Sequence, residues 1–476
     1  MISSEQITGA AKNSLRRWFG FAGAVAAMAI VLLIPAPLGM VPDAQRMAAL
    51  FAGALVLWST EAIPIAATSL LVLILQPILQ LNPLGAAFTN FMSPPFFFVL
   101  VMFVIAYAWV KTGVAHRFAL WMISKGGTET KRVLLVFIVG TGLVSTIISD
   151  VPCAVIFMAI ALGIFQKLGL KPGESRFGKA VMLGIPIGAL IGGVGTPAGS
   201  SINLLGLSLM EQNGGARIPF LYWMAIGIPM VLIMLPIACF ILLKFYPPEI
   251  KTIGDLREIE SERRQMGPVS AQEWKVLAIM AVMLTLWILG TWYPATFDTY
   301  LIGVAGACAM FLPGINLFTW KEVQDATGWD TLMMIGGVTS LAAASSKSGL
   351  AKWLVDSTMG GLHDMSLLSV LLIISAFTVV IHLLLPVNPT IIAVIIPPIM
   401  LLGKSVGINP AIYALPAVFT ASCAFLLPLD AVPLVTYSKG YYRMFDMFVP
   451  GLIISAVWVL VMTLLLRFIG PLVGLL

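Results

Sequence analysis

The tetrapeptides Ser149-Asp150-Val151-Pro152 and Val387-Asn388-Pro389-Thr390 each interrupt a long apolar stretch with polar residues and a proline. Each is followed by a second interrupted stretch, Gly192-Gly-Val-Gly-Thr-Pro-Ala-Gly-Ser-Ser-Ile-Asn203 in the first case and Pro428-Leu-Asp-Ala-Val-Pro433 in the second. A backbone break in hydrocarbon leaves N–H and C=O groups without water, so it persists only where protein encloses it or where it lines a wet or ligand-filled cavity. Breaks that recur in two halves of a chain are the sequence sign of a secondary transporter with its site between them.

The surrounding sequence has the composition such breaks require. Of 476 residues, 59% are hydrophobic and 10% charged, with a mean hydropathy of +1.01. A soluble fold needs about a quarter of its residues charged, which excludes that class. Apolar runs of roughly 20 residues, long enough for a spanning helix, recur from Trp18 onward. Membrane barrels alternate every second residue and are far less apolar. The expected fold is an all-α polytopic membrane protein of about eleven transmembrane helices plus two re-entrant hairpins, arranged as two inverted repeats. The spans are placed near 18–38, 44–60, 62–81, 94–115, 180–210, 220–243, 276–292, 298–315, 328–346, 410–437 and 447–470, with hairpins at about 133–166 and 366–403.

The one long polar segment, Lys244 to Lys275, divides the chain near its middle. Four regions follow: residues 1–40 as N-terminal tail and first span, 41–243 as first repeat, 244–275 as cytoplasmic linker, and 276–476 as second repeat. Unwound helices are expected at about 195–203 and 428–434. Thr112-Gly-Val-Ala-His-Arg117 and Ser348-Gly-Leu-Ala-Lys-Trp353 each close an apolar span, a weak internal echo. With the N-terminus inside, 21 of the 27 basic residues, including Lys12, Arg16, Arg17, Lys439 and Arg443, fall on the cytoplasmic side. That asymmetry predicts a cytoplasmic N-terminus and an outward C-terminus in a plasma membrane, the inner one in a Gram-negative cell. Five crossings per half then require the repeats to be inverted.

Trp18 to Leu38 follows basic residues as a signal peptide would, but it is too long and lacks a small-x-small cleavage site, so it is read as a span. Cys153, Cys239, Cys308 and Cys423 lie far apart in apolar stretches and read as buried small hydrophobes, not disulfides or metal ligands. The net charge of +6 implies no nucleic-acid partner in a chain whose basic residues follow membrane topology; lipid is the expected surroundings.

Hairpin tips present helix N-termini, whose N–H groups suit an anion, while unwound carbonyls suit Na⁺ or a similar cation. Ser149, Ser200, Asn203, Asn388 and Thr390 add small polar side chains there, although Ser, Thr and Pro also serve simply to kink spans. Asp150 and Asp430 are sharper signals, because an ionised carboxylate in the bilayer costs several kcal/mol unless protonated or paired with a cation. Two readings are open for His382: a group titrating near neutrality, or a neutral imidazole satisfied by its surroundings. Glu61 reads as a helix cap. Gly403-Lys404-Ser405 resembles the end of a phosphate loop, yet Pro398 stands where a glycine is needed. Zinc-hydrolase, nucleophile-elbow and transition-metal spacings are absent from the sequence, and neither an enzyme nor an organic cofactor is expected.

Trp58-Ser-Thr-Glu-Ala-Ile-Pro-Ile-Ala-Ala-Thr-Ser-Leu70 resembles the opening signature of the divalent anion:sodium symporter family, the transporters of di- and tricarboxylates and sulfate. The resemblance runs through most of the chain. Ser149-Asp150-Val151 stands where the family has its first Ser-Asn-Thr motif, Val387-Asn388-Pro389 where it has the second, and Gly199-Ser-Ser-Ile-Asn203 where it has Gly-Thr-Pro-Pro-Asn. Ala421-Ser-Cys-Ala-Phe-Leu-Leu-Pro428 matches the lead-in to the second unwound helix. The resemblance implies a homodimer with a scaffold and an elevator-like transport domain, carrying a small divalent anion such as a dicarboxylate with Na⁺. By position it implies a first sodium site at Ser145, Ser149, Asp150 and Gly199, and a second at Asn388 with backbone near Leu383, Pro386 and Asp430. Substrate would touch Ser149, Asp150, Val151, Ser200, Val387, Asn388, Pro389 and Ala431, with Thr390 beside them. The chain departs from the pattern in having Asp150 for Asn, Val151 for Thr, Val387 for Ser, Leu383 for Thr, and Asp430 for a small residue. These changes remove hydroxyls and add an acid beside each cation position.

Overall fold

A computed structural model describes residues 4–475 except 256, 363, 384, 386 and 387, with side chains from Arg17 onward, that of Glu258 excepted. The expected Pro386 and Val387 contacts, and the side chains of Lys12 and Arg16, therefore lie outside the described residues. The chain is all-helical, with no strand among the described residues beyond one isolated bridge between Glu129 and Thr252.

The helices of the first half are α1 Ser4–Leu33, α2 Pro42–Thr60, α3 Ile65–Ile78, α4 Leu84–Phe91, α5 Pro94–Thr112, α6 Val114–Gly126, α7 Thr130–Ser145, α8 Asp150–Lys167, α9 Arg176–Gly193, α10 Ser201–Gln212 and α11 Phe220–Phe245. After the linker helix α12 Arg257–Gln265 come α13 Ala271–Leu289, α14 Thr299–Ala309, α15 Trp320–Ala326, α16 Trp329–Lys347, α17 Leu350–Leu354, α18 Leu367–Ile381, α19 Asn388–Val406, α20 Pro410–Ala421, α21 Ala431–Tyr437 and α22 Phe448–Ile469. Gly113 between α5 and α6 and Gly349 between α16 and α17 hold nearly the same left-handed backbone, φ 85 and 82°, which L side chains rarely adopt. In each half that glycine precedes a short helix, a helical pair broken at its tip, a second broken helix, and a long helix.

Seven helical stretches among the described residues are long and apolar enough to cross a bilayer, from Leu84–Thr112 to Met444–Ile469. Other expected crossings are built from shorter helices, among them α3, α14 and α20. The stretch expected at 298–315 leaves the helix at Ala309 and turns through Pro313 and Gly314, since the residue before a proline is pushed out of helical geometry.

The breaks lie close to where the sequence puts them. α7 stops at Ser145 and α8 starts at Asp150, with Pro152 in its first turn, where a missing N–H costs nothing. α19 likewise carries Pro389 in its first turn. Between α9 and α10 the chain runs non-helically from Val194 to Ser200 around the 3₁₀ turn Pro197–Gly199, and between α20 and α21 from Ser422 to Asp430. The second break thus starts earlier than the expected 428–434, and Ala431 to Leu434 are already helical. The most extensive helix contact is that of α7 with α9, where a Cβ on Gly192 would sit 2.0 Å from the Gly142 carbonyl. Only glycine lets the two backbones approach so closely without side chains between them.

Candidate substrate and cation site

At the tip of the first hairpin the Ser145 hydroxyl donates to Oδ1 of Asp150 over 2.6 Å, with both side chains buried. Asp150 opens α8, so its carboxylate lies in the first turn, where backbone N–H groups are free of helical partners. Ser149 precedes it with non-helical backbone (φ −50°, ψ 147°) and makes no side-chain cap bond; Ser149 and Val151 are half-buried. The end of α9 presses on this tip, since a Cβ on Gly193 would lie 2.1 Å from Asp150 Oδ1. Gly199 is wedged in the same way, its missing Cβ facing the Gly193 and Ser145 carbonyls. Ser145, Asp150 and Gly199 are therefore brought together. A hydroxyl, a carboxylate and backbone carbonyls form an all-oxygen donor set that suits a hard cation.

The first break is held by buried hydrogen bonds. Thr196 donates from its hydroxyl to the Thr146 carbonyl over 2.6 Å, tying the unwound stretch to the hairpin tip. The Asn203 amide donates to the carbonyls of Gly193 (2.8 Å) and Thr196 (2.9 Å), satisfying groups that the break releases. Asn203 Oδ1 in turn accepts from Ser422 over 3.2 Å, at the start of the second break. Ser200 caps α10 and is buried. The sequence marks Thr196 and Ser422 only by their positions inside or beside the breaks.

At the second tip Asn388, Pro389 and Thr390 open α19 and are buried. Oγ1 of Thr390 has no hydrogen-bond partner among the described residues, and Oδ1 of Asn388 has none apart from the His382 ring that faces its side chain. Asp430 is half-buried and accepts from the Val432 N–H (3.1 Å) at the head of α21, which packs against α8 and α9. It lies within electrostatic reach of both Asp150 and His382, so the two acids reach one site from opposite halves of the chain. Ala431 is exposed beside it.

The second cation position fits less well. Leu383 turns an apolar side chain, 41% exposed, to the surface. His382 is buried with Nδ1 2.9 Å from the Thr378 carbonyl and Nε2 3.1 Å from the Ala421 carbonyl, so the oxygens at the ends of α18 and α20 are already engaged by a side chain. Glu61 ends α2 in left-handed geometry (φ 49°), as a cap residue does.

The family model of the sodium:sulfate symporter transmembrane region matches residues 15–476. A protein of Staphylococcus saprophyticus named sodium-dependent dicarboxylate transporter SdcS is 30% identical over 440 residues, 87% of this chain and 84% of its own length. The protein of the same name from Staphylococcus aureus strain MRSA252 is 28% identical over 447 residues, with the same coverage of both chains. A membrane protein of Cupriavidus necator is 28% identical over 435 residues, again covering 87% and 84%. Among solved structures, the Alcanivorax borkumensis YdaH transporter superposes with a TM-score of 0.56 at 15% identity, covering 80% of this chain and 86% of its own. Neisseria gonorrhoeae MtrF gives 0.54 at 14%, covering 80% and 82%. Both are likenesses of fold alone.

Proposed function

The chain belongs to the sodium:sulfate symporter family, the divalent anion:sodium symporters, and from that premise we propose that it moves small divalent anions, C4-type dicarboxylates foremost, by Na⁺-coupled secondary active transport. The observation that supports the site is the pair of buried polar atoms at the second tip, Asn388 Oδ1 and Thr390 Oγ1, which lack a hydrogen-bond partner among the described residues apart from the His382 ring that faces the Asn388 side chain. An unsatisfied buried polar group costs about 1–3 kcal/mol, so such a pair is retained where a ligand completes it. The Asn388 amide offers a donor to an anion and an acceptor to a cation at once. Substrate lies between the two tips, against Ser149, Val151, Ser200, Thr390 and Ala431, and Na⁺ lies at Ser145, Asp150 and Gly199, with H⁺ as the alternative coupling ion. The names of the staphylococcal relatives support both the anion class and the ion.

In this reading the halves are inverted repeats, and the chain works as a homodimer in a plasma membrane with elevator-type alternating access. The linker and N-terminus face the cytoplasm and the C-terminus faces out; a cysteine at the exposed position of Arg264 that reacts with an impermeant reagent on intact cells would contradict this orientation. The function is tested by uptake of labelled succinate and sulfate into proteoliposomes with and without a Na⁺ gradient. Asn388→Ala should weaken the apparent affinities for anion and Na⁺ together, and unchanged kinetics would remove Asn388 from the site. A second reading, sodium-independent exchange of organic anions, is favoured by the engaged carbonyls around His382 and the apolar Leu383. It predicts uptake driven by internal dicarboxylate without Na⁺.

A further inference from the structure

The helices that carry the breaks, α7–α11 and α18–α22, pack on one another, and α2–α5 with α13–α16 form a second packed set. The sets meet along α10, which packs on α5 and α16, along α19, which packs on α16, and where α11 touches α13. At the end of the bundle away from the linker, the α10–α11 connection reaches across this boundary. Asn213 accepts from the Ser346 hydroxyl in the last turn of α16, and Phe220 stacks on Trp287 of α13 with ring centroids 4.9 Å apart. Arg217, in the same connection, faces two acids. Its Nη1 donates to Asp298, which heads α14 in the second set, while its Nε lies 3.7 Å from Glu211 of α10 in its own set. The guanidinium also lies 5.1 Å over the Tyr300 ring. Asp298 is a fixed post, since its other oxygen accepts from the Leu301 N–H over 2.9 Å and caps α14. Beneath the cluster the boundary is not filled: a cavity lined by Glu211, Arg217 and Tyr300 extends past Leu207 and Leu204, on one face of α10, to Pro197 in the first break.

Resting on the transporter reading above, in which the break-bearing helices move against the rest, we propose that Arg217 is a hand-over latch: it clamps to Asp298 in this state and passes to Glu211 when α10 shifts away. A half-buried charge stripped of its partner is costly, so a latch without a second partner would resist release. Glu211 travels with Arg217 because both belong to α10 and the connection that follows it, whereas Asp298 stays with α14. The loose 3.7 Å pair is thus the partner in waiting. Nη2 of Arg217, buried without a hydrogen-bond partner among the described residues, is a donor free to take it. Two arrangements of one cation, each with its own carboxylate, make a bistable element, the physical requirement for a switch between two states. The unfilled cavity agrees with this, because a boundary that must slide is held at a polar point more than by interlocked side chains.

The test is a cross-link that reports the clamped state. Asn213→Cys and Ser346→Cys, whose parent side chains touch, are combined with Cys308→Ser, since Cys153, Cys239 and Cys423 are buried. A short bismaleimide is added to the protein in proteoliposomes for a time that gives half-maximal yield. Asp298→Asn keeps the cap on α14, because an amide oxygen caps as a carboxylate does. It weakens the clamp, and the yield should fall about threefold, as the loss of a partly exposed ion pair allows. Glu211→Gln removes the second partner, so the yield should rise, and uptake of labelled succinate by the chain with native Asn213 and Ser346 should slow about threefold. Yields that move in the same direction, or that neither substitution changes, overturn the proposal, since a cluster that merely braces the fold loses strength in both variants. A parent chain that takes up no anion would defeat the transport reading, whereas the two yields would still decide the latch.

Discussion

The Ser422 hydroxyl donates to Oδ1 of Asn203 across 3.2 Å, so one buried hydrogen bond joins the helix break of the first half to that of the second. The same amide satisfies the Gly193 and Thr196 carbonyls. Asn203→Ala removes three bonds at roughly 1 kcal/mol of net stability each, while the Thr196 carbonyl keeps the Gly199 N–H (3.2 Å) and the Ser422 hydroxyl keeps the Val418 carbonyl (3.5 Å). A loss of about 3 kcal/mol is expected in thermal or denaturant unfolding in detergent, against about 1 kcal/mol for Ser422→Ala. Equal effects of the two substitutions would show that the amide does not hold the first break.

Asp150→Asn keeps the geometry of the first tip, because an amide oxygen accepts from Ser145 as the carboxylate does. If Na⁺ is the coupling ion, uptake persists and the apparent Na⁺ affinity falls about tenfold, the equivalent of ~1.4 kcal/mol. If a proton is the coupling ion, the same change flattens the pH dependence of uptake between about pH 5 and 8. Uptake kinetics across Na⁺ concentration and pH separate the two.

Arg117 fastens the cytoplasmic linker. Its guanidinium grips Glu273 with two bonds, 2.6 and 3.0 Å, and also reaches the carbonyls of Met266, Gly267 and Pro268. Glu273 is 1% exposed and also closes a capping box with Ser270 at the head of α13. Arg117→Ala leaves the Glu273 carboxylate with the Ser270 N–H (2.6 Å) but without its counter-charge and should cost about 1–3 kcal/mol. The linker should then be cut faster by trypsin at Arg263 and Arg264. Adding Glu273→Gln to the Arg117→Ala variant should restore part of the stability, whereas additive losses would refute the pairing.

Glu322, on α15 outside the spanning helices, is held well below its ordinary value of 4.5, at about 2, first by its bond to Lys111 and then by the Thr319 backbone and side chain. A carboxyl lowered on folding contributes stability above its unfolded value, and that contribution is lost as pH falls toward the folded one. Glu322→Gln should therefore melt below the wild type at neutral pH, with the gap closing from about pH 4.5 to about pH 2. A gap that is constant over this window would mean the carboxylate charge is not involved.

The sequence alone determined the membrane class, the helical secondary structure and the location of the breaks. These follow from local causes: apolar run length, and Pro, Gly and polar residues that a spanning helix cannot hide. Asp150 is legible from the break it opens, whereas Ser145 stands beside it in the sequence reading only through the family resemblance. The sequence had no means of pairing Asn203 with Ser422, 219 positions apart, or of placing His382 between the ends of α18 and α20. Such contacts arise when separate helices pack, and hydrophobic patterning says which segments enter the membrane but not which ends meet there. The readings of His382 left open by its sequence context depend on the two carbonyls that face it, and only the tertiary structure brings those together.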